Sequence, residues 1–237
     1  GTTEVSADKV SAISEAERES SAIFSESILW TEQLGWYYQS EGEYEKAIKA
    51  FEKCIANGYF SPLFDLAVIY LNEDDKEYYD YEYYKTLMKV GIRLGVPECH
   101  ILGIEREPQW DSLDDYEKNT LHSQLKKNLE EGISMGSGYC AYTLADVYLS
   151  GKLGFDINFD LGKEYAYIAV TYGYNEAFNL LIEAAETLQD PEFMTEEELL
   201  RYRIHALHYG IEEQLDYVIR NKETYIEMGY GDEINKV

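Results

Sequence analysis

The sequence predicts an all-α fold, an α-solenoid of about five helix-turn-helix repeats with terminal capping helices. The first observation is a glycine that ends a helical pattern at Gly58, Gly95, Gly136, Gly173 and Gly210, with spacings of 37, 41, 37 and 37 residues. A glycine at this place supplies the left-handed backbone that closes a helix. Its recurrence at a nearly constant spacing indicates a repeat array, because one amphipathic helix pair cannot bury its apolar stripes alone.

The second observation is that the residues around these glycines recur in phase. Four positions before each glycine the residue is small, and the members are Cys54, Gly91, Gly132, Ala169 and Ala206. The position after that is aliphatic, and its members are Ile55, Ile92, Ile133, Val170 and Leu207. Nine positions after the first four glycines come Ala67, Ile104, Ala145 and Ile182. Small residues let two helices approach closely, and the aliphatic neighbours fill the space between units.

The repeat units are predicted to follow one another along residues 27–210. Residues 1–26 are expected to form an N-terminal tail and a capping helix. The second unit opens with Ser61 and Pro62, a cap residue followed by a proline in the first turn. The second helix of this unit carries five tyrosines within seven positions. That number exceeds one core face, so some of these tyrosines must line the surface or a neighbouring unit.

The third unit is irregular. Pro97 is predicted to open a short helix that ends near residue 104, and residues 105–110 form a longer loop. Ser112 with Asp115 three positions later resembles a capping box at the start of a long amphipathic helix.

The fourth and fifth units return to the regular pattern. Residues 137–173 hold two helical patterns that are joined by a polar, glycine-containing loop. The fifth unit restarts after a break with Thr195 and Glu198, which have the spacing of a capping box. Residues 211–237 are expected to form a C-terminal capping helix, a single helix to about residue 228, followed by a tail.

Two parts of the pattern resemble known repeat families. The residues at the spacing of the tetratricopeptide repeat are Leu34, Gly35, Tyr38, Ala47, Phe51 and Cys54. The segment LADVYLSGKLG at residues 144–154, followed by a tyrosine-rich helix that ends in glycine, resembles the longer Sel-one-like repeat. The resemblance covers about residues 27–210 and departs from the motif at Glu107, where a tyrosine is expected. It implies a right-handed α-solenoid, an α/α superhelix, that contacts other proteins, often as an adaptor, and it implies no reaction.

The resemblance also implies that the first helices line a concave groove. Counting from Gly35, Ala67, Ile104, Ala145 and Ile182 as equivalent points predicts the groove residues. They are Glu32, Trp36, Phe64, Val68, Ile101, Glu105, Tyr142, Asp146, Asn179 and Glu183, with Gln39 and Asn72 one turn further along. Aromatic and acidic groups alternate, which suits a protein or peptide with basic and apolar anchors. The alternatives are that some of these residues pack against the next unit, or that the tyrosine-rich helix of unit two is the binding surface.

The sequence indicates no catalytic residue, no metal site and no cofactor. Residues 156–160 alternate oxygen ligands like the start of a calcium loop, but the glycine comes one place late and Tyr167 stands where a glutamate is needed. His205 and His208 share a helix face without an evident third ligand. The motifs of nucleotide-binding loops and of serine hydrolases are missing from the sequence. We therefore do not expect an enzyme.

The charge is strongly acidic, with 46 acidic against 20 basic residues and a net charge of −26. Such a balance disfavours binding to nucleic acids and to anionic membranes, which require clusters of cations. It favours a basic protein partner, although a simply solvated acidic surface explains it as well. The predicted function is a protein-interaction scaffold or adaptor. The alternative is an acidic inhibitor or immunity-type protein that masks a basic partner.

Cysteine usage and hydropathy give two further expectations. The three cysteines, Cys54, Cys99 and Cys140, are predicted to be buried free thiols. The sequence has no apolar run long enough to span a membrane, so no membrane insertion is expected. These features favour a cytoplasmic location. The chain begins with glycine instead of methionine, and a signal peptide removed before that point would place the protein in the periplasm or outside the cell.

Overall fold

The computed structural model describes residues 27–236, and all regular secondary structure in that range is helical. The predicted all-α repeat fold is therefore confirmed. The described residues form two compact parts, which divide between Cys99 and His100. The expected N-terminal tail and capping helix of residues 1–26 lie outside the described residues.

The N-terminal part contains four α-helices. They are α1 (residues 27–40), α2 (Tyr44–Ala56), α3 (Leu63–Ile69) and α4 (Tyr81–Arg93), and a 3-10 helix at Pro97–Ile101 follows. Phe51 of α2 lies against Gly35 of α1, where a side chain would overlap its ring. The tyrosine-rich helix α4 begins after Asp80, whose carboxylate accepts a hydrogen bond from the backbone N–H of Tyr83 at 2.9 Å.

The C-terminal part continues with helical hairpins. A 3-10 helix at Ile104–Ser112 precedes α5 (Asp115–Ser134), α6 (Gly138–Ser150), α7 (Phe159–Thr171), α8 (Ala177–Leu188) and α9 (Glu196–His208). Each of these α-helices packs against the next one in the chain. The core between α6, α7 and α8 is built mainly from alanines, among them Ala141, Ala145, Ala166 and Ala169. Small side chains allow these helices to pack closely.

The predicted phase of the repeat is confirmed by the helix ends. All five repeat glycines have φ between +75° and +88°. At each of them the N–H of the glycine donates to the aliphatic residue three positions earlier, and the next N–H donates to the small residue four positions before the glycine. This pair of bonds is the Schellman motif, which satisfies carbonyl groups left free at a helix end. The same closure recurs at Gly229, with Tyr225 in the place of the small residue.

The small residue before each glycine is buried because another helix or turn crosses it. A side chain at Gly91 would overlap the sulfur of Cys99, and one at Gly132 would overlap the sulfur of Cys140. In the fourth unit the corresponding positions are both alanine, at 169 and 177, and both are fully buried. In these three units the residue eight positions after the small residue thus complements its size.

The third unit differs from the prediction in two places. The segment predicted as a loop after residue 104 is the 3-10 helix Ile104–Ser112. The capping box is formed by Asp114 and Glu117 instead of Ser112 and Asp115: Asp114 Oδ1 accepts from Glu117 N–H at 2.8 Å, and Glu117 Oε2 accepts from Asp114 N–H at 3.0 Å. Ser112 ends the preceding helix and donates its hydroxyl to the carbonyl of Gln109. The other predicted box, Thr195 with Glu198, is present.

The segment after Gly210 is divided into short helices where the sequence suggested one. A 3-10 turn at Glu212–Gln214 leads into α10 (Leu215–Arg220), α11 (Lys222–Glu227) and α12 (Gly231–Ile234). The break falls at Asn221, whose side-chain amide donates to the carbonyl of Tyr217 and thus competes with the helical pattern. Tyr225 and Val218 are fully buried and hold this segment on α9.

Candidate protein-binding surface

Apart from Glu32, the predicted groove residues of the N-terminal part retain some exposed surface on α1, on α3 or just beyond α3. Trp36 is 44% exposed, and its indole donates a hydrogen bond to the carboxylate of Asp65. Burial raises the pKa of Asp65, and this hydrogen bond opposes the rise. Phe64 and Val68 are half-buried beside it. Gln39 is half-buried as well, whereas Asn72 is exposed just beyond α3.

Two predicted groove residues do not offer a surface to a partner. Glu32 is only 5% exposed, and Ile101 is also buried. The Oε1 atom of Glu32 accepts from the hydroxyl of Tyr59 at 3.3 Å, and its Oε2 atom has no hydrogen-bond partner among the described residues. Burial raises the pKa of Glu32, the Tyr59 hydrogen bond lowers it, and the charge of Asp65 raises it further. Glu32 and Ile101 are therefore interior residues.

The C-terminal part carries a cluster of three tyrosines, here called the tyrosine cluster: Tyr139, Tyr142 and Tyr174. The rings of Tyr139 and Tyr142 are nearly parallel, with centroids 6.4 Å apart and an interplanar angle of 14°. Tyr174, in the turn between α7 and α8, lies 5.3 Å from the first and 5.0 Å from the second. All three are half-buried. Burial, reinforced by the two neighbouring tyrosines, raises the pKa of Tyr174 to about 12.

Carboxylates border the tyrosine cluster. Burial raises the pKa of Tyr142, and the charges of Asp146 and Glu183 raise it further. The carboxylate of Glu176 acts on Tyr142 and on Tyr174 in the same direction. The pKa of Asp146 itself is raised by burial and by Glu107, and lowered by Lys152. Three predicted groove residues, Tyr142, Asp146 and Glu183, thus come together on α6 and α8.

Tyr139 and Tyr174 are not among the groove residues predicted from the sequence. Counting along the first helices alone places Tyr142 and Glu183 but omits the turn that joins the hairpins. Tyr174 directly follows the repeat glycine Gly173, and its N–H makes the second bond of the Schellman motif. An aromatic residue at this position is the available signal, because the closed turn holds it against the next helix.

The remaining predicted residues of this part have their polar groups engaged. Glu105, half-buried on the 3-10 helix, accepts from the backbone N–H of Gly103 at 2.7 Å. Asn179 accepts from Gln214 at 3.2 Å. Gln214 in turn accepts from the buried guanidinium of Arg203 at 2.8 Å. Asn179 is therefore a member of an internal polar network.

Arg203 is the centre of that network. Its other terminal nitrogen donates to Glu186, and its guanidinium carbon lies 3.9 Å from the centroid of the Tyr217 ring. The equivalent positions in the other units are the apolar residues Phe51, Met88, Leu129 and Ala166. The arginine thus fastens α10 to α8 and α9 by polar bonds and by stacking on an aromatic ring.

The tyrosine-rich helix of unit two is only partly available as an alternative surface. Tyr84 is buried, whereas Tyr79 and Tyr83 are exposed. The ring of Tyr83 packs edge-on against Tyr70 at 4.7 Å.

The described residues contain no group of three or more histidine, cysteine or acidic side chains placed to hold a metal ion. Asn158, within the calcium-like segment, caps α7 by accepting from Leu161 N–H at 3.0 Å. Burial lowers the pKa of His205, and His208 adds to this effect. The three cysteines are buried and form no disulfide bond among the described residues, as predicted. Within residues 27–236, the helices are too short or too polar to cross a membrane.

Comparison with known proteins gives a structural likeness. No protein-family model matches the chain, and no curated protein matches it. The fold is similar to the crystal structure of a Sel1 repeat protein from Oxalobacter formigenes, with 16% sequence identity and a TM-score of 0.45. The match covers 79% of this chain and 53% of the other, so the chain spans about half the length of that protein.

Proposed function

We propose that the protein is a non-enzymatic interaction scaffold that binds another protein or a peptide on the exposed faces of its first helices. The observation that carries the proposal is the tyrosine cluster, in which the charges of Asp146 and Glu183 act on the half-buried Tyr142. Half-buried aromatic rings contribute most of the affinity at protein interfaces, and charges beside them select the partner. Since the bordering groups are carboxylates and the net charge is −26, the partner is a basic segment. The cytoplasmic location stays a prediction.

A paired affinity capture tests this function. Wild-type protein and the variants Tyr142→Ala and Glu183→Gln are immobilised and exposed to an extract of the source cells, and the retained proteins are quantified. We expect at least one protein to be retained by the wild type and lost with Tyr142→Ala. Tyr116→Ala is the matched control, because Tyr116 is 79% exposed on α5 and belongs to no cluster described above.

Two outcomes would contradict the proposal. Retention of the same proteins by all four forms would place the binding surface elsewhere. Retention that is unchanged by Tyr142→Ala and Tyr116→Ala but is lost when salt is added would indicate binding to the acidic surface as a whole. That behaviour is expected of the acidic inhibitor considered above.

A further inference from the structure

We propose that the tyrosine cluster and its carboxylates bind an arginine side chain of the partner. This inference rests on the proposed function and specifies the chemical group that the surface recognises. It concerns residues of the C-terminal part only. The competing occupants are a lysine-rich segment held by charge alone and a second copy of this chain.

The rings provide a place for a flat cation. Tyr142 and Tyr174 pack against the alanine core of α6, α7 and α8, and both are only half-buried. A guanidinium group is planar and weakly hydrated, and it stacks on aromatic faces. A lysine ammonium is a strongly hydrated point charge, so placing it on a half-buried ring costs more desolvation.

The carboxylates provide the matching charge. Asp146, Glu176 and Glu183 all act electrostatically on Tyr142, and Glu107 acts on Asp146. Lys152 lowers the pKa of Asp146 and offsets Glu107 there, whereas the carboxylates that act on Tyr142 all raise its pKa. A guanidinium can hydrogen-bond a carboxylate through two N–H groups while its plane lies on a ring.

The protein already contains this combination in its interior. The guanidinium of Arg203 stacks 3.9 Å above the ring of Tyr217 and donates to the carboxylate of Glu186. The surface cluster offers the same two partners, a tyrosine ring and a carboxylate on a neighbouring helix. The cationic member of the set would come from the bound protein.

A titration with matched peptides tests the choice of arginine. Three acetylated, amidated alanine peptides differ only in a central arginine, lysine or citrulline. Binding to the full chain is followed by NMR of labelled tyrosines at physiological salt. We expect the arginine peptide to shift the signals of Tyr139, Tyr142 and Tyr174 with a dissociation constant about threefold or more below that of the lysine peptide. Citrulline, which is flat but uncharged, is expected not to bind.

Variants locate the effect. Tyr142→Leu should remove the preference for arginine, Tyr142→Phe should keep it, and Glu183→Gln should weaken binding of the arginine peptide. Tyr116→Leu is the control and should leave all three titrations unchanged. Circular dichroism of each variant confirms that the helices are intact. If Tyr142→Leu fails to fold, Glu183→Gln still tests the inference, because it alters only a charge on an exposed residue.

The outcomes separate this inference from the proposed function. Equal binding of the arginine and lysine peptides would overturn the arginine inference, while the capture experiment would still support a scaffold. Shifts of the cluster that grow with protein concentration in the absence of peptide would assign the surface to a second copy of the chain and would also overturn it. Arginine-specific shifts that map outside the cluster would do the same.

Discussion

At the scale of single residues, the surroundings of Glu32 oppose its charge. It occupies a repeat position that holds Phe64, Tyr142 and Asn179 in other units, but it is buried and has one unpaired oxygen. Burial raises its pKa in the folded state. The folded protein therefore holds the proton of Glu32 more tightly than the unfolded chain does, and stability falls as the pH rises through the unfolded and then the folded pKa.

Replacing Glu32 with glutamine removes this ionisation. We expect Glu32→Gln to raise the free energy of unfolding by about 1 kcal/mol at pH 7.5, since burying an unpaired charged group costs about 1–3 kcal/mol or more and the neutral amide avoids that charge. The gain should shrink as the pH is lowered through the folded pKa and disappear below the unfolded pKa. Chemical denaturation across this pH range checks it. The exposed Glu73→Gln is the control, and a gain that is independent of pH would contradict the assignment.

The pair Gly132 and Cys140 tests the size rule of the repeat. Gly132→Ala should destabilise by about 1–3 kcal/mol, because the new methyl group overlaps the Cys140 sulfur. The double variant with Cys140→Ala should recover part of this loss, because it recreates the alanine pair of positions 169 and 177. A double-mutant cycle measured by denaturation gives the coupling. Additive effects would show that the two side chains do not compete for the same space.

The residue pattern predicted the small positions but not the burial of Glu32. Size at one phase is visible in the sequence because all five copies share it. Exposure depends on which helix covers a given side of α1, and this is set by neighbours that are distant in sequence. The hydroxyl of Tyr59, 27 positions away, donates the hydrogen bond that Glu32 accepts in its buried position. A count along one helix cannot include such a partner.

At the scale of elements, the start of α5 shows how neighbouring patterns compete. Two candidate capping boxes overlap, one at Ser112 and one at Asp114. The structure uses Asp114, because Ser112 closes the 3-10 helix before it. Both segments have acceptable spacing, so the sequence alone could not decide where one helix ends and the next begins. The ends of the second helices of the five units were predictable, because each of these helices carries its glycine.

Substitution of the two candidate caps distinguishes them. Asp114→Ala should lower the free energy of unfolding by about 1 kcal/mol, because it leaves N–H groups of α5 without an acceptor. Ser112→Ala should have a much smaller effect. Thermal or chemical denaturation of both variants checks the difference. A larger loss for Ser112→Ala than for Asp114→Ala would restore the box that the sequence suggested.

For the molecule as a whole, the acidic surface and the aromatic cluster should act on different rates. Binding of a captured partner is expected to show a faster dissociation rate with Tyr142→Ala, by a factor that corresponds to about 2 kcal/mol at a hot spot. Glu183→Gln should mainly slow association and reduce its dependence on salt. Kinetic binding measurements at low and high salt separate the two effects. Negligible changes in both variants would remove the cluster from the binding surface.

The candidate site was predictable in part. Tyr142, Asp146 and Glu183 follow from the repeat phase, since equivalent positions on neighbouring first helices lie close together. Glu105 and Asn179 follow from the same phase, but their polar atoms are engaged by Gly103 and Gln214. Hydrogen bonds of this kind depend on the irregular third unit and on the C-terminal segment, where the repeat pattern ends.

The recurring helix closure bears on how such a chain lengthens by gene duplication. Each closure uses only residues within six positions, and the residue that falls beyond a copied block such as 137–173 contributes only its backbone N–H, which every residue except proline supplies. The size-matched pair, in contrast, straddles the boundary between blocks. A tandem copy of this block would set Ala169 against Cys140, where Gly132 now stands. Such a copy is therefore expected to fold well only if one member of this pair also changes to a smaller residue.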